Sequence, residues 1–254
     1  ADKNVAVGLG TLQAFTSATA LDTYNTAVGY NAGTAVTTGT ENTLIGGLAG
    51  DSITTGSDNV AIGFEALGQE TTGSLNTAVG YRSGVAMTTG IQNTIIGSLA
   101  GDALTTGTRN IAIGYAALTV EDTGGRNIAI GRSALQVLDA GQDGYNVAIG
   151  DDAGVSMTTG TKNIIMGGRA GDALTTGNYN TAIGHEALST EDTHSANVAI
   201  GYQALKTQNA GADAYNTAVG YTAGAAVTTG IKNTLIGGLA GSSLTSGGEN
   251  VAIG

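Results

Sequence analysis

The 254-residue chain has no cysteine, no proline and no tryptophan, and only 4% of its residues are aromatic. Without thiols there is neither a disulfide scaffold nor a cysteine zinc site. Without proline, and with no glycine at every third position, there is no collagen helix. Charged residues make up 11%, against roughly 25% in ordinary soluble domains. Nine Lys and Arg face twenty Asp and Glu, for a net charge of −11. Nucleic-acid binding needs a basic surface, so no nucleic-acid partner is expected. No apolar run approaches the ~20 residues of a membrane-spanning helix, and no membrane insertion is expected. What is abundant is glycine, at 43 residues, and apolar side chains, at 41%, recurring too regularly for a disordered chain.

That recurrence is an internal repeat. The pentad Asn-x-apolar-apolar-Gly occurs fifteen times, with asparagines Asn4, Asn25, Asn42, Asn59, Asn76, Asn93, Asn110, Asn127, Asn146, Asn163, Asn180, Asn197, Asn216, Asn233 and Asn250. Successive asparagines are 17 residues apart, except for gaps of 21 after Asn4 and 19 after Asn127 and Asn197. The additional residues fall just before the next asparagine, where a surface loop would sit. The segment Asn76 to Tyr145 returns seventy residues later as Asn146 to Tyr215, so four coils were copied as a block. One architecture is expected throughout, a single repeat domain over residues 1–254 that forms part of a longer fibre.

Seventeen residues with several glycines are too few for a helical repeat and suit one coil of a parallel β-solenoid. Each pentad would supply a short strand bounded by residue types that tolerate left-handed backbone, paired with its copy ~4.8 Å away. The asparagines from Asn25 to Asn233 would then stack as a structural ladder, with amides bonding along the stack and at the turn. The fourth pentad residue is always Val, Ile or Met, and the third, on the opposite face, is Ala or a larger apolar residue such as Leu44, Ile95, Ile165 or Leu235. Strands apolar on both faces are buried on both sides. A thin coil has one inside, so the other face is expected to meet further copies of the same chain.

Two exchanges of volume run between columns. Leu44, Ile95, Ile165 and Leu235 accompany Gly47, Ser98, Gly168 and Gly238, whereas Ala27, Ala61, Ala78 and Ala112 accompany Tyr30, Phe64, Tyr81 and Tyr115. Farther along the coil, Gly33, Gly50, Gly84 and Gly101 accompany Val36, Ile53, Met87 and Leu104, whereas Leu67, Leu118 and Leu188 accompany Glu70, Glu121 and Glu191. Such trades are expected of a close-packed core.

The pentads Asn59-Val60-Ala61-Ile62-Gly63, Asn146-Val147-Ala148-Ile149-Gly150 and Asn197-Val198-Ala199-Ile200-Gly201 resemble the NxAIG repeat of trimeric autotransporter adhesin heads, the YadA-like family. The string Asn25-Thr26-Ala27-Val28-Gly29-Tyr30-Asn31-Ala32-Gly33 is similar to arrays in bacteriophage tail fibres. The resemblance runs from Asn4 to Gly254 and implies a left-handed parallel β-roll with three chains around one axis. Adhesin heads repeat at a shorter spacing, which favours the phage-fibre branch.

No enzyme is expected, and no cofactor. His185 and His194, the only histidines, read as exposed variable positions, and neither fits a metal-ligand spacing such as H-E-x-x-H. Gly46-Gly47-Leu48-Ala49-Gly50-Asp51 departs from the calcium-binding roll repeat, and Asp51, Asp102 and Asp172 lie too far apart along the chain for one site. No metal site is therefore expected. The pairs Glu121-Asp122 and Glu191-Asp192 read as solvated charges at turns, taking the place of Thr-Thr. The Thr-Thr-Gly motif occurs eight times, first at Thr37-Thr38, and a flat threonine array is the alternative reading, an ice-binding solenoid, although the acidic pairs interrupt its rows. Tyr24, Tyr145, Tyr179 and Tyr215 precede pentad asparagines and are the candidate surface-contact residues, able to stack on the sugar rings of a cell-surface glycan. The expected function is a structural or adhesive fibre segment, homotrimeric, joined to neighbouring segments of the same fibre. It would stand outside the cell, on a virion or a bacterial surface.

Overall fold

The computed structural model describes residues 3–16 and 22–254, and among these there is no α-helix. It comprises two compact units, Ala1–Arg126 and Asn127–Gly254. In the first, seven strands follow the pentads: β1 (Val5–Val7), β2 (Thr26–Val28), β3 (Thr43–Ile45), β4 (Val60–Ile62), β5 (Thr77–Val79), β6 (Thr94–Ile96) and β7 (Ile111–Ile113). Each pairs in parallel with the next, pentad position opposite pentad position, so Ala27 faces Leu44 and Val28 faces Ile45. The second unit repeats the plan with β8 (Ile128–Ile130), β9 (Val147–Ile149), β10 (Ile164–Met166), β11 (Thr181–Ile183), β12 (Val198–Ile200), β13 (Thr217–Val219), β14 (Thr234–Ile236) and β15 (Val251–Ile253). Both units are parallel β-solenoids.

Three residues make a short strand because the pentad glycine ends it. The backbone of Gly63 has a φ of +132°, and a Cβ there would collide with the carbonyl of Gly80 in the next coil. Only glycine allows coils to stack this closely. At the other end, the left-handed residue is the one before the asparagine, as at Tyr24, Glu41 and Asp58, rather than the asparagine itself. From Asn25 to Asn233 the asparagine is instead turned inward and buried. In the first unit, Asn42 N–H donates to Asn25 Oδ1 (3.0 Å), and Asn42 Nδ2 donates to the carbonyl of Gly56 (2.9 Å). The second unit repeats this with Asn163 N–H to Asn146 Oδ1 (3.0 Å) and Asn163 Nδ2 to Gly177 O (2.9 Å). Each buried amide thus satisfies a turn carbonyl and the backbone of its neighbour, two groups that would otherwise be buried unpaired.

The rest of the interior consists of the third pentad residue, an alanine three residues after the pentad glycine (Ala32, Ala49, Ala66) and the column Val36, Ile53, Glu70, Met87 and Leu104, all buried. One expected volume exchange is a real contact and one is not. Leu44 lies inside, but the residue after its pentad glycine belongs to a column that points outward, where Tyr30, Phe64, Tyr81 and Tyr115 are exposed. Leu44 trades instead with Gly33 and Gly50: a Cβ on Gly33 would stand 2.6 Å from Leu44 Cδ1, and one on Gly50 would stand 2.8 Å from Cδ2. Where the third residue is Ala61, Leu67 fills the space with its backbone left-handed at φ 50°. Leucine accepts this conformation at a cost of about 1–3 kcal/mol, which the filled core offsets.

Candidate functional site

Alternation along a strand places the second and fourth pentad residues outside. In the first unit this outer face carries Thr43 and Ile45, Thr94 and Ile96, then Ile111 and Ile113; in the second it carries Ile164 and Met166, then Thr234 and Ile236. Ile45 is 38% exposed and Ile164 is 42% exposed, while the residue between the outer pair is buried in each case. β-Branched residues suit a flat, half-buried surface, and here the outer residues are left half-buried, as at Ile111 and Ile113, or exposed, as at Ile96 and Ile236.

Tyrosines border this face. Tyr24, Tyr145, Tyr179 and Tyr215 stand two positions before a strand, and Tyr30, Tyr81, Tyr115, Tyr202 and Tyr221 stand two positions after one, which accounts for all nine in the chain. Every one is exposed. Of those that follow the glycine, Tyr81, Tyr202 and Tyr221 take part in stacks along the coils. Phe64 lies 5.9 Å from Tyr81 in the first unit. In the second, His185, Tyr202 and Tyr221 stack with centroid separations of 5.8 and 5.3 Å and nearly parallel planes. The candidate contact tyrosines belong to a different column, on the other side of the strand. They sit in left-handed backbone, two of them beneath a lysine: Lys3 Nζ is 5.3 Å from the Tyr24 ring centroid and Lys162 Nζ is 5.0 Å from that of Tyr179. The inserted loops before Tyr145 and Tyr215 are solvent-exposed at residues 141–143 and 211–213.

The acidic residues require a correction. Glu70, Glu121 and Glu191 are wholly buried, in the same interior column as Ile53 and Met87. It is Asp122-Thr123 and Asp192-Thr193, one residue on, that occupy the Thr-Thr place. Each buried carboxylate reaches the backbone N–H three residues ahead: Gly73 N–H donates to Glu70 at 2.7 Å, Gly124 N–H to Glu121 at 2.7 Å, and His194 N–H to Glu191 at 3.3 Å. Burial pushes the Glu70 carboxyl up to about 7, against the opposing pull of the Gly73 and Thr71 N–H groups, and its second oxygen has no hydrogen-bond partner. His185 is exposed, but His194 is not: its Nδ1 lies 2.7 Å from Glu191 Oε1.

Asp51, Asp102 and Asp172 stand in separate coils, each with its carboxyl raised mainly by desolvation. Asp51 borders an open groove of about 300 Å³ shared with Glu65, Gln69 and Arg82. In the Thr-Thr-Gly column the first hydroxyl is engaged, as in Thr54 Oγ1–H to Thr71 O (3.0 Å). The second is exposed at Thr38, Thr55, Thr72, Thr89, Thr106 and Thr123, so the row is unbroken through Glu121-Asp122. Among the described residues no helix is long and apolar enough to cross a membrane.

No family model, curated protein or solved structure matches the chain.

Proposed function

We propose that the chain is a non-enzymatic fibre segment that assembles as a homotrimer through its outer strand faces, of the kind found in phage tail fibres and trimeric adhesin heads. The observation that carries this reading is the apolar outer face, β-branched in strand after strand and bordered by tyrosines, on a coil whose core is already complete inside. Contiguous exposed apolar surface marks an interaction site, and a repeating face is matched best by the same repeat in another chain. The role is mechanical: a stiff segment outside the cell, joined to neighbouring segments of the fibre, holds host-binding parts at a set distance, and three copies supply avidity. Glycan contact, where it occurs, falls to the loops around Tyr145 and Tyr215.

Replacing Ile96 by Lys places a charge on the outer face without touching the core. The trimer is expected to dissociate in a sedimentation-velocity run while the far-ultraviolet spectrum stays unchanged. A trimer that survives both Ile96→Lys and Ile45→Lys would contradict assembly through this face. A glycan array then separates spacer from adhesin: a signal lost on replacing Tyr145 and Tyr215 supports contact through the loops, and no signal leaves a spacer.

The unbroken row from Thr38 to Thr123 favours a second reading, ice binding. Thermal hysteresis at millimolar protein would support it, and its absence would discard it.

A further inference from the structure

We propose that the turn Glu191-Asp192-Thr193-His194 binds one divalent transition-metal ion of the zinc class, through Nδ1 of His194, Oε1 of Glu191 and a carboxylate oxygen of Asp192. His194 Nδ1 lies 2.7 Å from Glu191 Oε1 and 4.0 Å from Asp192 Oδ1. The three ligand atoms all fall within 4.8 Å of one another. Zinc–nitrogen and zinc–oxygen bonds of about 2.0–2.2 Å separate neighbouring ligand atoms by roughly 3–3.5 Å, so seating the ion needs the histidine–glutamate pair to part slightly and the half-exposed Asp192 carboxylate to close in.

The site is built rather than superficial. Glu191 is fully buried, and its second oxygen accepts a hydrogen bond from Gln208 Nε2 at 3.2 Å. Gln208, also buried, donates to Asn197 Oδ1 (2.9 Å) and accepts from Asn216 Nδ2 (2.9 Å). Such outer partners fix the orientation of a metal-binding carboxylate. The Asp192 side chain is 48% exposed, so a fourth coordination position opens toward water. One imidazole with two carboxylates suits zinc, nickel or copper; calcium and magnesium prefer oxygen ligands alone.

An internal control supports the assignment. The block duplication places Glu121-Asp122-Thr123-Gly124 in the equivalent turn of the first unit. Both turns bury the glutamate and cap the same N–H, so the acid serves the fold in each. The imidazole is the addition, and it is directed at the acid.

The test uses the untagged full chain, stripped with a chelator and equilibrated with zinc at pH 7.5. The expected result is about one tightly held zinc per chain by mass spectrometry of the metal, not displaced by excess calcium. His194→Gly, which restores the residue of the sister turn, should abolish this binding, and Asp192→Asn should weaken it at least about tenfold. His185→Gln should leave it unchanged. Failure of the unmodified chain to bind zinc, or equal binding by His194→Gly, would overturn the site and leave a plain histidine–glutamate hydrogen bond. Should His194→Gly misfold, Asp192→Asn decides alone, because its side chain is half exposed and caps no turn through that carboxylate.

Discussion

Each strand of the solenoid carries apolar residues on both faces, and the two faces behave differently. Inside, from β2 to β14, the third pentad residue is sealed from solvent and its size is tied to its neighbours: Leu44 with Gly33 and Gly50, Ile95 with Gly101, Ala61 with Leu67. Outside, Val, Ile and Met succeed one another in the fourth column with no compensating change beside them. Volume is conserved where a chain must fill its own interior. In that outer column only the apolar character is kept, as suits a surface matched to something beyond the coil.

The sharpest way to break this comparison is inside. Ile95→Ala should destabilise the chain by about 2–5 kcal/mol in urea denaturation. Adding Gly101→Leu to that variant recreates the pairing of Ala61 with Leu67 and should recover more than half of the loss. No recovery would mean that the columns do not trade volume. Asn59→Ala removes the acceptor for Asn76 N–H and the donor to Gly73 O and should cost about 3 kcal/mol; a cost below about 1 kcal/mol would show that water replaces the amide.

Glu70 tests the interior through pH. Its folded value of about 7 lies above the ordinary 4.5, so the folded state binds the proton more tightly. Stability contributed by this group is therefore full below about pH 4.5 and is lost as pH rises to about 7, to the extent of roughly 3 kcal/mol. Glu70→Gln keeps an acceptor for Gly73 N–H and removes the titration, so it should flatten this part of the stability–pH curve and stabilise the protein at pH 8. An unchanged slope would place the titrating group elsewhere. Smallest of all, Tyr202→Ala removes two ring stacks from the outer margin and should cost only about 1 kcal/mol, again by denaturation. A loss as large as that of Ile95→Ala would make the margin part of the core.

The strands were legible because the pentad recurs: each of the fifteen begins one residue after its asparagine and ends one residue before its glycine. The in-register parallel pairing follows from the same period. Covariation alone misled where it joined residues on opposite sides of the wall, as with Leu44 and Gly47. Glu121 and Glu191 read as turn charges because a carboxylate beside threonines and glycine resembles a solvated turn. Only the register of the coil puts them in line with Ile53 and Met87, with a backbone N–H to accept. The meeting of His194 with Glu191 was hidden for a related reason. A three-residue spacing in an irregular turn matches no helical ligand motif, and the glutamate's inward direction depends on the column it occupies. The ring stacks were likewise hidden, since the rings come from coils 17 or 19 residues apart.

Sedimentation equilibrium of the unmodified chain at micromolar concentration bears most directly on the outer face. The account predicts a single species at three times the 24.9 kDa chain mass, stable on dilution. A monomer with the same far-ultraviolet spectrum would contradict it, because the apolar outer face would then stand in water with no partner copy to cover it.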